Sequence, residues 1–398
     1  MKMRFRGFGF VAWASMSALS GLGMAVTFEP MTLDTEIGIG YGLEAVDVNG
    51  DGRKDVVMAD KDAIVWYENP TWVKHRITGH LTEKDHVCIA ARDIDGDGRC
   101  EIAVGAQWNP GDTVDSGAVF YLIPPEDRTQ EWEAVRLHHE PTTHRMRWVR
   151  RAPGRYDLVV VPLHGRGNVK GDGDPVKVLA YRMPKDPRGE WEVETVNAGM
   201  HLTHNFEVVP ASNAEEPEDL LLAGREGIVR LSPTDKGWLE RWITRHPTDS
   251  DTLLGAGEVR YGVLGGGRPY VAAIEPMHGH QLVVYTPPEK GGKQQEWTRQ
   301  VLTDQLVDGH ALMCRDLLGL GNRQIVVGWR SAKQIGPRVG IRLWSTTKEN
   351  GGGWQEQMVD DNTMACEDLA VTDFDGDGKA DIVACGRRTR NVILYLQR

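Results

Sequence analysis

The sequence contains little cysteine and has no excess of positive charge. Its five cysteines are an odd number that cannot all pair within one chain, and none of them forms a Cys-x-x-Cys motif. A disulfide framework is therefore not expected, and we interpret these residues as small buried apolar side chains. The 46 basic and 57 acidic residues give a net charge of −11. This balance argues against nucleic acid as a partner, because a phosphate backbone requires a basic face.

Familiar catalytic motifs and long apolar runs are also scarce. The sequence has no Gly-x-Ser-x-Gly, no His-Glu-x-x-His and no phosphate-binding loop. One apolar stretch, residues 7–25, follows the basic segment MKMRFR. This pattern predicts a signal peptide over 1–25 and export to the periplasm or the cell exterior, with an N-terminal membrane anchor as the alternative. We expect residues 26–398 to form a single domain without a membrane span.

The sequence instead contains a repeat. The clearest copies are DVNGDGRKDVVMAD, DIDGDGRCEIAVGA, DLLGLGNRQIVVGW and DFDGDGKADIVACG, and three weaker copies bring the total to seven. Each copy reads as an apolar strand, a Gly/Asp turn and an apolar strand, followed by an alternating strand and a strand that opens with Trp. Four strands per unit predict an all-β, seven-bladed propeller. The last copy ends after its third strand, and FEPMTLD near the N-terminus is expected to complete that blade and close the ring.

Tryptophans mark the outer strand of most repeats. We expect these side chains to pack between blades rather than to stack on a ligand. They are Trp72, Trp132, Trp191, Trp238, Trp297 and Trp354.

Three of the turns carry oxygen ligands at alternating positions, with glycines between them. This spacing is typical of loops that wrap a hard cation such as Ca²⁺, and a strand follows each loop where an EF-hand would have a helix. We predict structural calcium sites here, with plain acidic turns as the alternative. The predicted ligands are Asp47, Asn49, Asp51 and Asp55; Asp93, Asp95, Asp97 and Glu101; and Asp373, Asp375, Asp377 and Asp381.

These turns and the repeat around them resemble the FG-GAP/VCBS family of propeller repeats. The resemblance implies the fold but leaves the function open, since such propellers include both binding domains and polysaccharide lyases. A functional site is therefore expected on the face opposite the acidic turns.

Histidine is concentrated at that opposite face. The residue six or seven positions before each first turn is His in four of the seven repeats, although the chain has only 13 His. We predict that His86, His144 and His204 bind a transition metal, with Zn²⁺ as the best match and Mn²⁺ or Fe²⁺ as alternatives. His310, or the pair His278 and His280, is an alternative source of a ligand. The predicted catalytic residues are His164, His278, His280, His310, Arg225, Arg330, Glu367 and Tyr41.

The histidine-bearing strands and the MHGHQL loop are similar to the propeller domain of the aldos-2-ulose dehydratase family. The resemblance implies metal-dependent β-elimination of water from a keto sugar such as 1,5-anhydrofructose. We therefore expect a carbon–oxygen lyase with a carbohydrate substrate. Two alternatives stay open: a propeller that binds glycans or proteins and is stabilised by calcium alone, and a polysaccharide lyase that acts on uronate chains.

Overall fold

The computed structural model describes residues 26–169, 171–247, 254–289, 296–331 and 338–398. The predicted signal peptide over 1–25 lies outside these residues, so export stays a prediction. Among the residues that are described, no helix is long and apolar enough to cross a bilayer.

The described chain consists of 28 strands and one short 3₁₀ helix at Gly265–Gly267. In chain order the strands are β1 (Phe28–Asp34), β2 (Gly42–Val46), β3 (Asp55–Ala59), β4 (Ile64–Glu68), β5 (Val73–Thr78), β6 (Cys88–Arg92), β7 (Glu101–Ala106), β8 (Ala118–Ile123), β9 (Glu133–Leu137), β10 (Thr143–Ala152), β11 (Arg155–Pro162), β12 (Val178–Arg182), β13 (Glu192–Asn197), β14 (Thr203–Val209), β15 (Asp219–Gly224), β16 (Gly227–Thr234), β17 (Gly237–Arg245), β18 (Glu258–Val263), β19 (Pro269–Glu275), β20 (Gln281–Thr286), β21 (Thr298–Thr303), β22 (Gly309–Arg315), β23 (Gln324–Trp329), β24 (Gly340–Ser345), β25 (Gln355–Asp361), β26 (Cys366–Thr372), β27 (Asp381–Gly386) and β28 (Asn391–Gln397).

The strands form seven antiparallel sheets of four strands each. Blades 1 to 6 are β2–β5, β6–β9, β10–β13, β14–β17, β18–β21 and β22–β25. The first strand of every blade contacts the first strands of both neighbouring blades, so these seven strands form the inner ring around a central channel. The all-β, seven-bladed propeller predicted from the sequence is therefore confirmed.

Blade 7 combines strands from both ends of the chain. β26, β27 and β28 pair in order, and β1 adds to β28 in an antiparallel register in which Phe28 faces Gln397. The segment FEPMTLD thus supplies the missing outer strand, as predicted. This pairing covers the edge that β28 would otherwise expose.

Buried apolar side chains fill the space between adjacent blades. Trp66 of blade 1, for example, packs with Ile102 and Phe120 of blade 2. All six tryptophans predicted to pack structurally belong to these clusters. The five cysteines are buried and unpaired, in agreement with their interpretation as apolar side chains. This packing holds the inner strands in fixed positions around the channel.

Candidate metal and substrate site at the histidine end of the channel

Four inner strands have a β-bulge close to their first residue. The register shifts at His144 between β10 and β11, at His204 between β14 and β15, at His310 between β22 and β23, and at Glu367 between β26 and β27. A bulge leaves one residue without a partner on the next strand and re-aims its side chain. The described registers of β2, β6 and β18 are continuous. Four blades therefore present a bulged His or Glu at one end of the channel.

The three bulged histidines are held in the same way. Nδ1 of His144 lies 2.7 Å from the carbonyl oxygen of His204, Nδ1 of His204 lies 2.8 Å from that of Gly257, and Nδ1 of His310 lies 2.6 Å from that of Glu367. A carbonyl oxygen only accepts hydrogen bonds, so each Nδ1 carries the proton and donates it. In the neutral ring, Nε2 is then left with a free lone pair.

Burial keeps these rings neutral. Removal from water, followed by the nearby cation Arg145, holds the pKa of His144 and of His204 well below the usual histidine value. Burial and Arg330 do the same for His310. A neutral imidazole with Nδ1 bound to a carbonyl is the form that ligates a metal through Nε2.

A fourth histidine joins them from the loop after β19. Nε2 of His278 contacts Nε2 of His204, and the His278 ring centre lies 4.9 Å from that of His310. Nitrogen atoms of His204, His278 and His310 all lie within 4.8 Å of one another, a grouping that could hold a metal ion. The His278 side chain is 36% exposed. We call His144, His204, His278 and His310 the histidine mouth.

Arg330 supports His278 from behind. Its Nη2 lies 3.3 Å from Nδ1 of His278, its Nη1 donates to both carboxylate oxygens of Glu367 at 2.7 Å, and its Nε donates to Asp308 at 3.0 Å. Arg387 adds a further contact of 3.0 Å to Glu367. Since two carboxylates occupy the Arg330 guanidinium, its role in this arrangement is to position His278.

One side of the mouth is aromatic. The Trp108 ring centre lies 4.9 Å from that of His144. Tyr41 donates a hydrogen bond of 2.8 Å from its hydroxyl to Asp85, and the Arg387 guanidinium lies 5.3 Å from the centre of its ring. Burial and the hydrogen bond to the Asp85 carboxylate both raise the Tyr41 pKa, so the hydroxyl stays protonated.

Other predicted residues lie apart from these contacts. Leu81 N donates to Nε2 of His86 at 3.4 Å, and the His86 Nδ1 lies 3.3 Å from the carbonyl of Asp60. Nδ1 of His164 is buried without a hydrogen-bond partner, and His280 is exposed. The Arg225 guanidinium lies against Gly171, where an added Cβ would be 1.9 Å from Nη1.

The grouping therefore differs from the trio His86, His144 and His204. Both ring nitrogens of His86 face the main chain, because His86 lies two residues before β6 and that strand has no bulge in its register. Of the predicted trio only His204 belongs to the group that could hold a metal, and His278 and His310, which the sequence offered as alternatives, complete that group. Asp308, which contacts Arg330 and lies 3.9 Å from His278, was not predicted. Its position two residues before His310 was the available signal.

The acidic turns at the other end of the strands share one backbone geometry. The Asp93 carboxylate accepts hydrogen bonds from the amides of Gly96 and Gly98, and Asp373 accepts equivalent bonds in its own turn. Two groups could hold a cation: Asp93, Asp95 and Glu101, and Asp373, Asp375 and Asp381. In contrast, Asp97 and Asp377 pair with Arg99 and Lys379.

Two protein-family models match the chain. The β-propeller domain of aldos-2-ulose dehydratase matches residues 116–290, and an FG-GAP-like repeat matches residues 47–104. The resemblances drawn from the sequence are therefore confirmed. Among curated proteins, none matches this chain.

Solved structures share the fold at low sequence identity. Sqt1 of Saccharomyces cerevisiae is 10% identical with a TM-score of 0.54, and the match covers 93% of this chain and 98% of that one. The propeller domain of Cps50 (Swd1) from Myceliophteria thermophila is 9% identical with a TM-score of 0.52, covering 93% and 99%. The extracellular domain of the one-component system BT4673 from B. thetaiotaomicron is 9% identical with a TM-score of 0.53. That match covers 92% of this chain and 39% of that one. These likenesses establish the propeller fold alone.

Proposed function

We propose that this chain is a metal-dependent lyase that eliminates water from a keto sugar at the histidine mouth. The observation that carries the proposal is the shared fixation of His144, His204 and His310. Each Nδ1 donates to a carbonyl and each Nε2 keeps its lone pair, which in His204 faces Nε2 of His278. The match of residues 116–290 to the propeller domain of a dehydratase supports the same reaction class.

The donor set fits a divalent transition metal such as Zn²⁺. His204, His278 and His310 would hold it, because their nitrogens lie within 4.8 Å of one another and imidazole nitrogen is a preferred zinc ligand. When bound, such a metal polarises a substrate carbonyl as a Lewis acid and acidifies the neighbouring C–H bond. Arg330, held by Glu367 and Asp308, lies beside His278. Because a guanidinium only donates, ligation through Nε2 of His278 requires its Nδ1–H to face Asp308, 3.9 Å away, instead of Arg330.

His144 is the group we assign to proton transfer. Its fixed Nδ1–H leaves Nε2 as an acceptor, and its low pKa keeps that nitrogen unprotonated at neutral pH. Nε2 takes the proton from the carbon next to the carbonyl, the C–O bond at the following carbon breaks, and a C=C bond forms. The proton and the departing hydroxide together make the released water. Trp108, beside His144, offers a face for the sugar ring.

The test measures metal content and product together. Purified protein is analysed for Zn, Mn and Fe, and keto sugars including 1,5-anhydrofructose are screened for an ultraviolet-absorbing enone. We expect about one transition metal per chain, lost in His310→Ala. We expect His144→Ala to keep the metal and to lose about 100-fold or more in rate, the scale of a general base.

A chain that holds calcium alone and forms no enone would overturn the lyase assignment. A His144→Ala variant that turns over keto sugar as fast as the unaltered protein would overturn only the proton-transfer role given to His144. Retention of sugars on the wild-type chain without any conversion would instead support the glycan-binding alternative.

A further inference from the structure

A second cavity lies at the opposite end of the channel, on the side of the acidic turns. It measures about 240 Å³. Arg92 and Arg315, which line it, are the last residues of their inner strands, whereas His310 is the second residue of β22. We call this space the turn-side cavity, and its charged lining residues are Glu44, Arg92, Arg147, Glu207, Arg260, Arg315 and Asp368.

A second, much smaller space adjoins the turn-side cavity. It measures only about 10 Å³, is lined by Tyr41, Cys88, Arg145 and Asp368 among others, and shares Glu44 and Asp368 with the larger cavity. That volume holds no more than one water molecule. None of the four histidines of the mouth lines either space, so the turn-side cavity is built from different residues than the histidine mouth.

The polar groups around the turn-side cavity make few bonds to one another. Nη1 of Arg147 donates to the carbonyl of the preceding Met146 at 2.8 Å, and Nη1 of Arg260 donates to that of Val259 at 2.7 Å. Arg315 bonds its own predecessor, Cys314, at 3.3 Å. Each guanidinium thus donates once to its own strand, and Nη1 of Arg260 also lies 3.5 Å from the buried Glu258 carboxylate.

The facing carboxylates are too distant to use those donors fully. Glu44 lies 3.4 Å from Nη1 of Arg147, and Glu207 lies 3.7 Å from Nε of Arg260. The second distance exceeds a hydrogen bond. Nε of Arg260 is buried without a hydrogen-bond partner, in a residue that is only 2% exposed. A buried donor without a partner is costly. The donors that a ligand in the cavity meets directly are those of the more exposed Arg147 and Arg315.

The charges of the lining nearly cancel. Glu218 neutralises Arg92 through two bonds of 2.9 Å. The remaining cations, Arg147, Arg260 and Arg315, face three carboxyl groups, Glu44, Glu207 and Asp368. An anion would meet three carboxyl groups, and a cation would meet three guanidinium groups. The lining therefore selects a neutral ligand whose groups both donate and accept.

We propose that the turn-side cavity is a binding site for a neutral polyhydroxylated molecule of monosaccharide size. Hydroxyl groups donate to Glu44 and Glu207 and accept from Arg147, Arg260 and Arg315, so one ring of hydroxyls satisfies both sets. The volume corresponds to about eight water molecules at roughly 30 Å³ each, which suits a single sugar ring. This site is independent of the lyase proposed for the histidine mouth.

The experiment is calorimetric titration of the full chain with a panel of neutral hexoses, pentoses and linear polyols, with inorganic phosphate as the anionic probe. We expect one neutral sugar or polyol to bind at one site per chain and phosphate to give no heat. Met313→Trp, which fills the cavity without altering its charges, should abolish binding. Arg315→Ala should weaken it about tenfold, the effect of losing a charged hydrogen bond.

Two controls locate the ligand. Arg182→Ala removes an arginine outside the cavity, on β12, and should bind as the unaltered chain does. His310→Ala should also bind normally, which distinguishes this site from the histidine mouth. If thermal melting shows that Met313→Trp fails to fold, the loss of sugar affinity in Arg315→Ala is the deciding measurement.

Three results would each overturn the inference: no heat from any member of the panel, phosphate as the only ligand, or loss of sugar binding in His310→Ala. Failure here would leave the lyase proposal intact, because metal content and enone formation are measured separately.

Discussion

The two ends of the inner strands use the same scaffold for different purposes. At the histidine end, bulges turn His144, His204 and His310 so that only one ring nitrogen is bound by the main chain. At the other end, the carboxylates of Asp93 and Asp373 accept hydrogen bonds from backbone amides of their own turns. The first arrangement leaves ligand atoms free inside the channel, whereas the second shapes exposed loops. Chemistry is therefore expected at the histidine end and stabilisation at the turn end.

The largest effect is expected from a comparison of alanine variants at His86 and His204, which tests the role of the histidine end. Both residues occupy the same place in the repeat, but both nitrogens of His86 face backbone groups. We expect His204→Ala to lose the bound transition metal and about 100-fold or more in lyase rate, because a ligand is removed. His86→Ala should keep the metal and most of the rate. Elemental analysis with steady-state kinetics checks this pair, and equal losses in the two variants would contradict the role given to the bulge.

The effect of calcium on thermal stability tests the structural role given to the acidic turns. Filling two turn sites at about 100 times their Kd adds about 2.7 kcal/mol each, which together correspond to a rise in Tm of about 7 °C. We expect this rise in calcium relative to a chelator, and we expect Asp95→Asn with Asp375→Asn to remove it. Asp316→Asn, in the turn DLLGLGNRQ that has few carboxylates, is the matched control. If calcium does not change the Tm of the unaltered chain, the turns are plain acidic loops that bind no cation.

The smallest expected effect concerns Glu44, a carboxyl group that lines the turn-side cavity. Burial, opposed by Arg147, raises the pKa of Glu44 to about 7 from 4.5. A carboxyl group with a raised pKa stabilises the fold below its unfolded value of about 4.5, and this contribution is lost as the pH rises through about 7. Glu44→Gln should therefore flatten the decline in unfolding free energy between pH 5 and pH 8. Urea melts at several pH values measure it, and parallel pH profiles for the two proteins would refute the assignment.

The fold was predictable because its signals are local and repeated. The Gly/Asp turns, the Trp at the start of most outer strands and the segment FEPMTLD each reflect a structural requirement of a single blade. The segment FEPMTLD even matches the bounds of β1.

The site was predictable only in part. The sequence brings histidines to one face, but the bulges that separate His144 from His86 depend on pairing with the next strand. Likewise, the contact between His278 and His204 depends on how a loop of blade 5 crosses toward blade 4. The role of Asp308, which precedes β22, depends on the direction in which the side chain of Arg330 extends after β23. Such partners are set by tertiary packing, which spacing along the chain does not encode.

The strand that completes blade 7 also has a kinetic consequence. Phe28 and Gln397 pair across almost the full length of the chain, so their loop-closure entropy is among the largest in the fold. Contacts of such long range form late and slow folding. We therefore expect the joining of β1 to β28 to act as a latch: six blades can assemble beforehand, but the ring resists opening only after the two ends have met.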